Sequence, residues 1–158
     1  MFSKSLSESK NKALISLFAG VLFLDLFTKI LALNFLLPKV SIKLLPFFSL
    51  TYVENTGSAF GLFQNANLFL LFVSILVLLL MVIWRKDLID LGGLAKCGYT
   101  LIFAGAIGNI YDRIVLGHVV DFLDFHIWPV FNIADSAICI GAVLIAFAIF
   151  KQEKRRKK

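Results

Sequence analysis

The chain has little with which to do metal, redox or nucleotide chemistry. It holds only two cysteines, Cys97 and Cys139, both inside apolar runs and not in CxxC spacing, so they read as small buried hydrophobes. Its two histidines, His118 and His126, are eight apart, and neither stands among cysteines or in an HExxH pattern, which leaves a metal site without a ligand set. A lone histidine at a membrane interface is more often a hydrogen-bonded structural residue. No serine occupies GxSxG or SxxK, and no glycine-rich phosphate loop follows a strand, so serine-hydrolase and nucleotide-binding schemes lack their signatures. The net charge of +6 does not indicate nucleic acid, because the basic residues lie at the ends of apolar segments, with six in the tail from Lys151 to Lys158. There is no internal repeat.

What the chain has in abundance is apolar surface. With 59% hydrophobic residues and a mean hydropathy of +0.89, its 158 residues exceed what one small soluble core hides, and lipid is the solvent this implies. A crossing takes roughly 20 apolar residues. Four runs fit, at about residues 13–35, 68–84, 94–111 and 134–150, predicting one all-α membrane domain over 1–158, a four-transmembrane-helix bundle. The first run follows a basic head as a signal peptide would. It carries Asp25 and Lys29 in its interior and no small-x-small cleavage site, so it is expected to stay as a helix. Of the 16 lysines and arginines, 12 fall in the head, the middle connection (Arg85, Lys86, Lys96) and the tail, which predicts both termini in the cytoplasm. The outer connections, about 38–67 and 112–133, are longer and rich in aromatic and polar residues. Ser41 to Tyr52 suits an extended, β-like piece at the interface, and Asn55 to Gly61 reads as a turn into a short helix or re-entrant segment, eased by Gly57 and Gly61.

Most of the polar residues of interest border those outer connections. Asp25 and Lys29, four apart on one helix face, can pair, either as a structural ion pair or as a brace for a site. Asp112 beside Arg113 has a structural account, the guanidinium satisfying the carboxylate or backbone carbonyls at a helix end. Asn132 or Asp135 can cap the last helix. Capping accounts for one of them, not for the whole set. Asp121 and Asp135, each flanked by apolar residues at an expected helix boundary, remain as the candidate working pair. Two close carboxylates in a poorly solvated site share a proton near neutral pH; the ionised one can then activate water while the other hydrogen-bonds a scissile carbonyl.

Five ordered motifs then resemble those of the lipoprotein signal peptidases, or signal peptidase II. They are Asp25-x-x-Thr28-Lys29, Glu54-Asn55-Thr56-Gly57-Ser58-Ala59-Phe60-Gly61, Gly108-Asn109-x-x-Asp112-Arg113, Val119-Val120-Asp121-Phe122 and Phe131-Asn132-Ile133-Ala134-Asp135-Ser136. The resemblance spans nearly the whole chain. It implies an aspartic endopeptidase of the cytoplasmic (inner) membrane, with its site near the extracytoplasmic face, that removes the signal peptide of a prolipoprotein on the N-terminal side of a diacylated cysteine. It implies Asp121 and Asp135 as the catalytic pair, and Asn55, Gly57, Asn109, Asp112, Arg113, Asn132, Asp25 and Lys29 as substrate-binding or supporting residues. No metal or cofactor is implied. The implied partners are the diacylated prolipoprotein, membrane lipid and globomycin-type inhibitors, with the chain acting as a monomer. Two departures stand out: Leu26 where the family usually has Gln, and a stretch from Asp121 to Asp135 shorter than in many relatives, which bears on the outer rim.

Physical reasoning fits such a substrate, since a hydrophobic signal helix and two acyl chains can arrive laterally through lipid and meet water at the interface. The segment from Phe47 to Phe63 can then lie over the site as a clamp. Two other classes stay in view. A small transporter would use Asp25, Lys29 and the outer aspartates as a relay but lacks the repeats and broken helices of that class. A lipoprotein-binding scaffold would have no cleavage to lose.

Overall fold

A computed structural model of the chain describes residues 2–37, 41–57 and 66–156. It is mostly helical with one small sheet: α1 (Phe2–Phe35), β1 (Ser41–Leu45), β2 (Phe48–Asn55), α2 (Asn67–Ile83), a short α3 (Arg85–Asp90), α4 (Gly93–Val115), β3 (Val119–Asp124) and α5 (Ile133–Arg156). Helices cover all four apolar runs. Asn11–Phe35 and Ile133–Arg156 are long and apolar enough to cross a membrane, while α2 is apolar but shorter. The expected β-like piece is present as β1 and β2. The expected turn or re-entrant segment is described only from Asn55 to Gly57, and Ser58 to Gly61 lie outside the described residues, as does the end of the expected clamp.

Helix α1 is built inside out relative to a helix of a water-soluble protein. Its buried residues Asp25, Lys29 and Ala32, with Leu36 just past its end, follow one another at spacings of four, three and four, a single face, and the first two are charged. The opposite face exposes Phe23, Phe27, Ile30 and Phe35. Such a helix suits a lipid surround, where charges turn toward protein.

Helix α4 is central, packing on α1, α2, α3 and α5. Its buried positions are mostly small (Ala95, Gly98, Ala104, Gly105, Ala106, Gly108), and small residues let backbones approach closely where no hydrophobic force drives helices together. A Cβ on Gly98 would stand 2.6 Å from the Gly141 carbonyl oxygen, and one on Gly105 would overlap the Ala134 carbonyl oxygen. Gly105→Val is therefore expected to separate α4 from α5 at Ala134, next to Asp135, costing about 1–3 kcal/mol. Thermal unfolding in detergent checks this: the midpoint should drop, and an unchanged midpoint would contradict the packing.

The sheet has the order β1-β2-β3, antiparallel throughout, with Val53 opposite Asp121 and Asn55 opposite Val119. Val120 and Phe122 of β3 pack on Ala32 of α1 and on Leu36 just past its end, so the sheet closes over the Phe35 end of that helix. β3 falls inside the second outer connection, about 112–133, where the sequence reading places no strand. Asp121 is accordingly not at a helix boundary, as its apolar flanks suggest, but within a strand whose first four residues are all buried. Past Asp124 the chain reverses and Phe131 pairs back onto Leu123. That tight return accommodates the short spacing between Asp121 and Asp135.

Candidate active site

Five elements meet where β3, α4 and the start of α5 converge. The Leu123–Phe131 pairing lays the start of α5 alongside β3, and Asn132, fully buried, becomes the hub. Its side-chain Nδ2 donates to Asp121 Oδ1 (2.7 Å), the Val120 carbonyl (3.3 Å) and Asn109 Oδ1 (3.2 Å). Its Oδ1 accepts the Asp135 backbone N–H at 2.8 Å, while Asp135 Oδ2 accepts the Asn132 N–H at 3.3 Å. This is a reciprocal capping box. The alternatives of Asn132 or Asp135 as the cap thus resolve as both, in reciprocal roles.

Asp121 is 1% exposed. Its second oxygen accepts Asn55 Nδ2 at 2.8 Å, and Asn55 is itself oriented by the Gly57 N–H donating to its Oδ1 at 3.0 Å. Burial first, then the nearby Asp135 carboxylate, push the Asp121 carboxyl up to about 7. Asp135 Oδ1 accepts Asn109 Nδ2 at 2.7 Å. A continuous hydrogen-bonded path therefore runs from Asp121 through Asn132 and Asn109 to Asp135.

Beneath that path lies an ionic layer. The Lys29 ammonium contacts Asp25 Oδ2 at 2.8 Å and Asp112 Oδ2 at 2.9 Å and donates to Asn109 Oδ1 at 3.0 Å. Asp25 Oδ1 accepts the Ala134 N–H at 2.8 Å, and a Cβ on Gly108 would overlap Asp25 Oδ2, which explains a glycine there. Asp112 also accepts the Val120 N–H at 3.1 Å. The pairing expected of Asp25 with Lys29 is present. Asp112, however, takes Lys29 and the β3 backbone as partners, not the adjacent Arg113. Consecutive helical residues point about 100° apart, so Arg113 faces elsewhere and donates to the Asn109 backbone carbonyl at 3.5 Å, the second of the two roles expected of it.

Asp135 borders a cavity of about 810 Å³ whose polar lining also includes Asn55, Asn109 and Arg113, and Asp121 lies behind that lining, joined to it through Asn55. Its apolar walls come from α2 (Val73, Val77) and from the reversal between β3 and α5 (Phe125, Ile127). Every sequence-expected site residue thus belongs to one continuous cluster. Among the described residues no group of three His, Cys, Asp or Glu can hold a metal ion. What sequence reasoning missed is a second cluster, Ser49, Thr51, Asp124 and His126, beside the reversal. Asp124 is visible in the sequence only as one acid among four.

Buried carboxylates joined beside an apolar cavity, in a fold with membrane-length helices, can be set against known proteins. The family model described as Signal peptidase (SPase) II matches residues 17–151. A lipoprotein signal peptidase of Thermodesulfovibrio yellowstonii is 44% identical over 147 residues, covering 89% of this chain and 96% of that protein. One from Caldanaerobacter subterraneus subsp. tengcongensis is 46% identical over 142 residues, covering 87% and 96%. Two solved structures are similar, both described as bacterial membrane enzymes determined by the in meso method. The 2.3 Å structure has a TM-score of 0.82 at 31% identity, covering 93% of each chain, and the 1.9 Å structure a TM-score of 0.75 at 32% identity, covering 89% of this chain and 94% of the other. The class is therefore a membrane-embedded peptidase of aspartic type. Within that class, the chain belongs to the signal peptidase II family, the lipoprotein signal peptidases, which remove signal peptides from prolipoproteins.

Proposed function

We propose that Asp121 and Asp135 are the catalytic pair, cutting a prolipoprotein on the N-terminal side of its diacylglyceryl cysteine. The observation that carries this reading is the hydrogen-bonded path from Asp121 through Asn132 and Asn109 to Asp135 at the cavity wall. It holds two acids in one electrostatic unit, so that they titrate together and share one proton near neutral pH. Asp121, the more enclosed, keeps that proton. Asp135, which lines the cavity, is ionised and takes a proton from water as the water oxygen attacks the scissile carbonyl carbon. The Asp121 proton passes to the carbonyl oxygen, giving a neutral tetrahedral diol. Collapse of the diol returns a proton to Asp121, the departing amine takes the proton held by Asp135, and the C–N bond breaks. Lys29, Asp25 and Asp112 hold this arrangement in place, and Arg113, Asn55 and Asn109 offer donors to peptide carbonyls.

In this reading α1, α2, α4 and α5 are four crossings of one domain over 1–158, acting as a monomer without cofactor in the cytoplasmic membrane. The basic residues Arg85, Lys86 and Lys96 and the tail lie at the cytoplasmic end with both termini, and the sheet and acids at the extracytoplasmic end. Signal helix and acyl chains arrive through lipid, and the apolar cavity receives them where water also reaches. A globomycin-type cyclic peptide competes for the same cavity.

The test uses purified protein with a diacylated precursor peptide and its unlipidated twin. Cleavage confined to the lipidated peptide, before the cysteine, and blocked by globomycin is the expected result. Equal cleavage of both peptides, or none of either, would refute the reading. The rate should fall as pH rises through about 7, because the raised Asp121 carboxyl then loses the shared proton. The sign for stability is the same. The folded chain keeps a proton that an unfolded one has released, so this group's contribution diminishes as pH rises from 3.8 to about 7.

A further inference from the structure

The reversal between β3 and α5 carries side chains that the catalytic reading does not use. His126 has φ of 63°, the one positive value for a non-glycine residue among those described. Such backbone persists only where surrounding contacts enforce it. Three hydrogen bonds and two ring contacts do so here. His126 Nε2 lies 2.9 Å from the Oγ of Ser49, a β2 residue only 4% exposed, and the His126 N–H donates to Asp124 Oδ1 at 2.8 Å. Thr51 Oγ1 donates to the other Asp124 oxygen at 2.9 Å. The neighbouring Phe125 ring packs on Phe48 at 4.7 Å and stacks on Phe131 at 5.9 Å.

A serine, a histidine and an aspartate in contact invite comparison with a nucleophilic triad, and the geometry rejects it. Asp124 meets the backbone amide of His126, not the ring, and neither Ser49 nor His126 lines the cavity. The residues on either side do. Phe125, Ile127 and Trp128 form cavity wall, with Ile127 93% exposed. A wall so exposed is positioned by what anchors its backbone.

We propose that Ser49 and His126 form a latch that fixes the Phe125–Trp128 wall and so determines how tightly the lipidated substrate is held. They are positioning residues, and this role rests on the cleavage reading above. Asp121 and Asp135 are held by Asn55, Asn109 and Asn132, whose hydrogen bonds run to neither Ser49 nor His126, so binding and turnover should separate.

The experiment uses the full chain in detergent–lipid mixtures with Ser49→Ala, His126→Asn and the double variant. Asn tolerates positive φ and removes the imidazole. Each single variant should raise KM for the diacylated peptide about tenfold, the upper scale of one part-buried hydrogen bond, with kcat within about twofold. The double variant should be no worse than either single, because both break the same contact. In a Trp84→Phe background, which leaves Trp128 as the only tryptophan, Ser49→Ala should increase acrylamide quenching. Unchanged KM in both singles, effects that multiply, a fall in kcat, unfolding of the singles or unaltered quenching would overturn the latch. If no variant and not the parent cleaves the peptide, the cleavage reading fails, while quenching still decides the latch.

Discussion

Asp135→Asn and Asp121→Asn are each expected to reduce cleavage of the diacylated peptide by about 10³-fold or more, with the chain still folded. The competing explanation for any loss is local collapse, and magnitudes separate the two. Both oxygens of Asp121 accept amide N–H groups, from Asn55 and Asn132, and both oxygens of Asp135 accept as well, from Asn109 and the Asn132 backbone. An asparagine offers one acceptor where the acid offers two, so each substitution strands one donor, a cost of about 1–3 kcal/mol. A folded population survives that. The chemistry does not, since an amide at 135 cannot take a proton from water and one at 121 cannot supply one. Asp87→Asn, on α3 at the opposite end from the sheet, removes the same charge and should stay within about twofold of the parent. Substantial turnover in either active-site variant would end the assignment of a catalytic pair.

Parts of this arrangement are legible in the amino-acid sequence. The helices announce themselves as apolar runs, and Asp25 with Lys29 is readable because a spacing of four places both on one face. The limits are equally physical. Val119-Val120-Asp121-Phe122 has no alternation, because all four residues are buried, and a short run of that kind cannot be told from a helix end by periodicity. Adjacency in the chain pairs Asp112 with Arg113, yet its partner Lys29 lies 83 residues away, and local spacing carries no signal for such a pair. The same holds for Ser49 and His126, 77 residues apart. Motif resemblance names residues that the structure brings into one cluster, but it says nothing of Asn132 as the hub, or of the return through Phe131 that sets it beside Asp121.

Lys29→Met is expected to be the most destabilising single substitution in the site. Lys29 is 2% exposed, and the three protons of its ammonium match three acceptors, on Asp25, Asp112 and Asn109. Methionine fills similar volume and leaves two buried carboxylates without their cation, and breaking a buried pair in this way costs about 3–5 kcal/mol. For a chain of this size that lowers the thermal midpoint by about 10 °C. The damage should also reach the chemistry. Asp112 holds the Val120 N–H of β3, Asp25 holds the Ala134 N–H at the start of α5, and Asn109 bonds Asp135, so Lys29 fixes the supports of both proposed catalytic residues at once. Arginine is not a substitute, because its planar fork is larger than a slot closed by Gly108 against Asp25. Neutralising the stranded acids should recover part of the loss. Lys29→Met combined with Asp25→Asn and Asp112→Asn is expected to melt above Lys29→Met alone, because the unpaired charges cost more than the lost attraction. A single variant melting within about 2 °C of the parent, or a triple variant melting below the single one, would show that Lys29 is not the cation on which the layer depends.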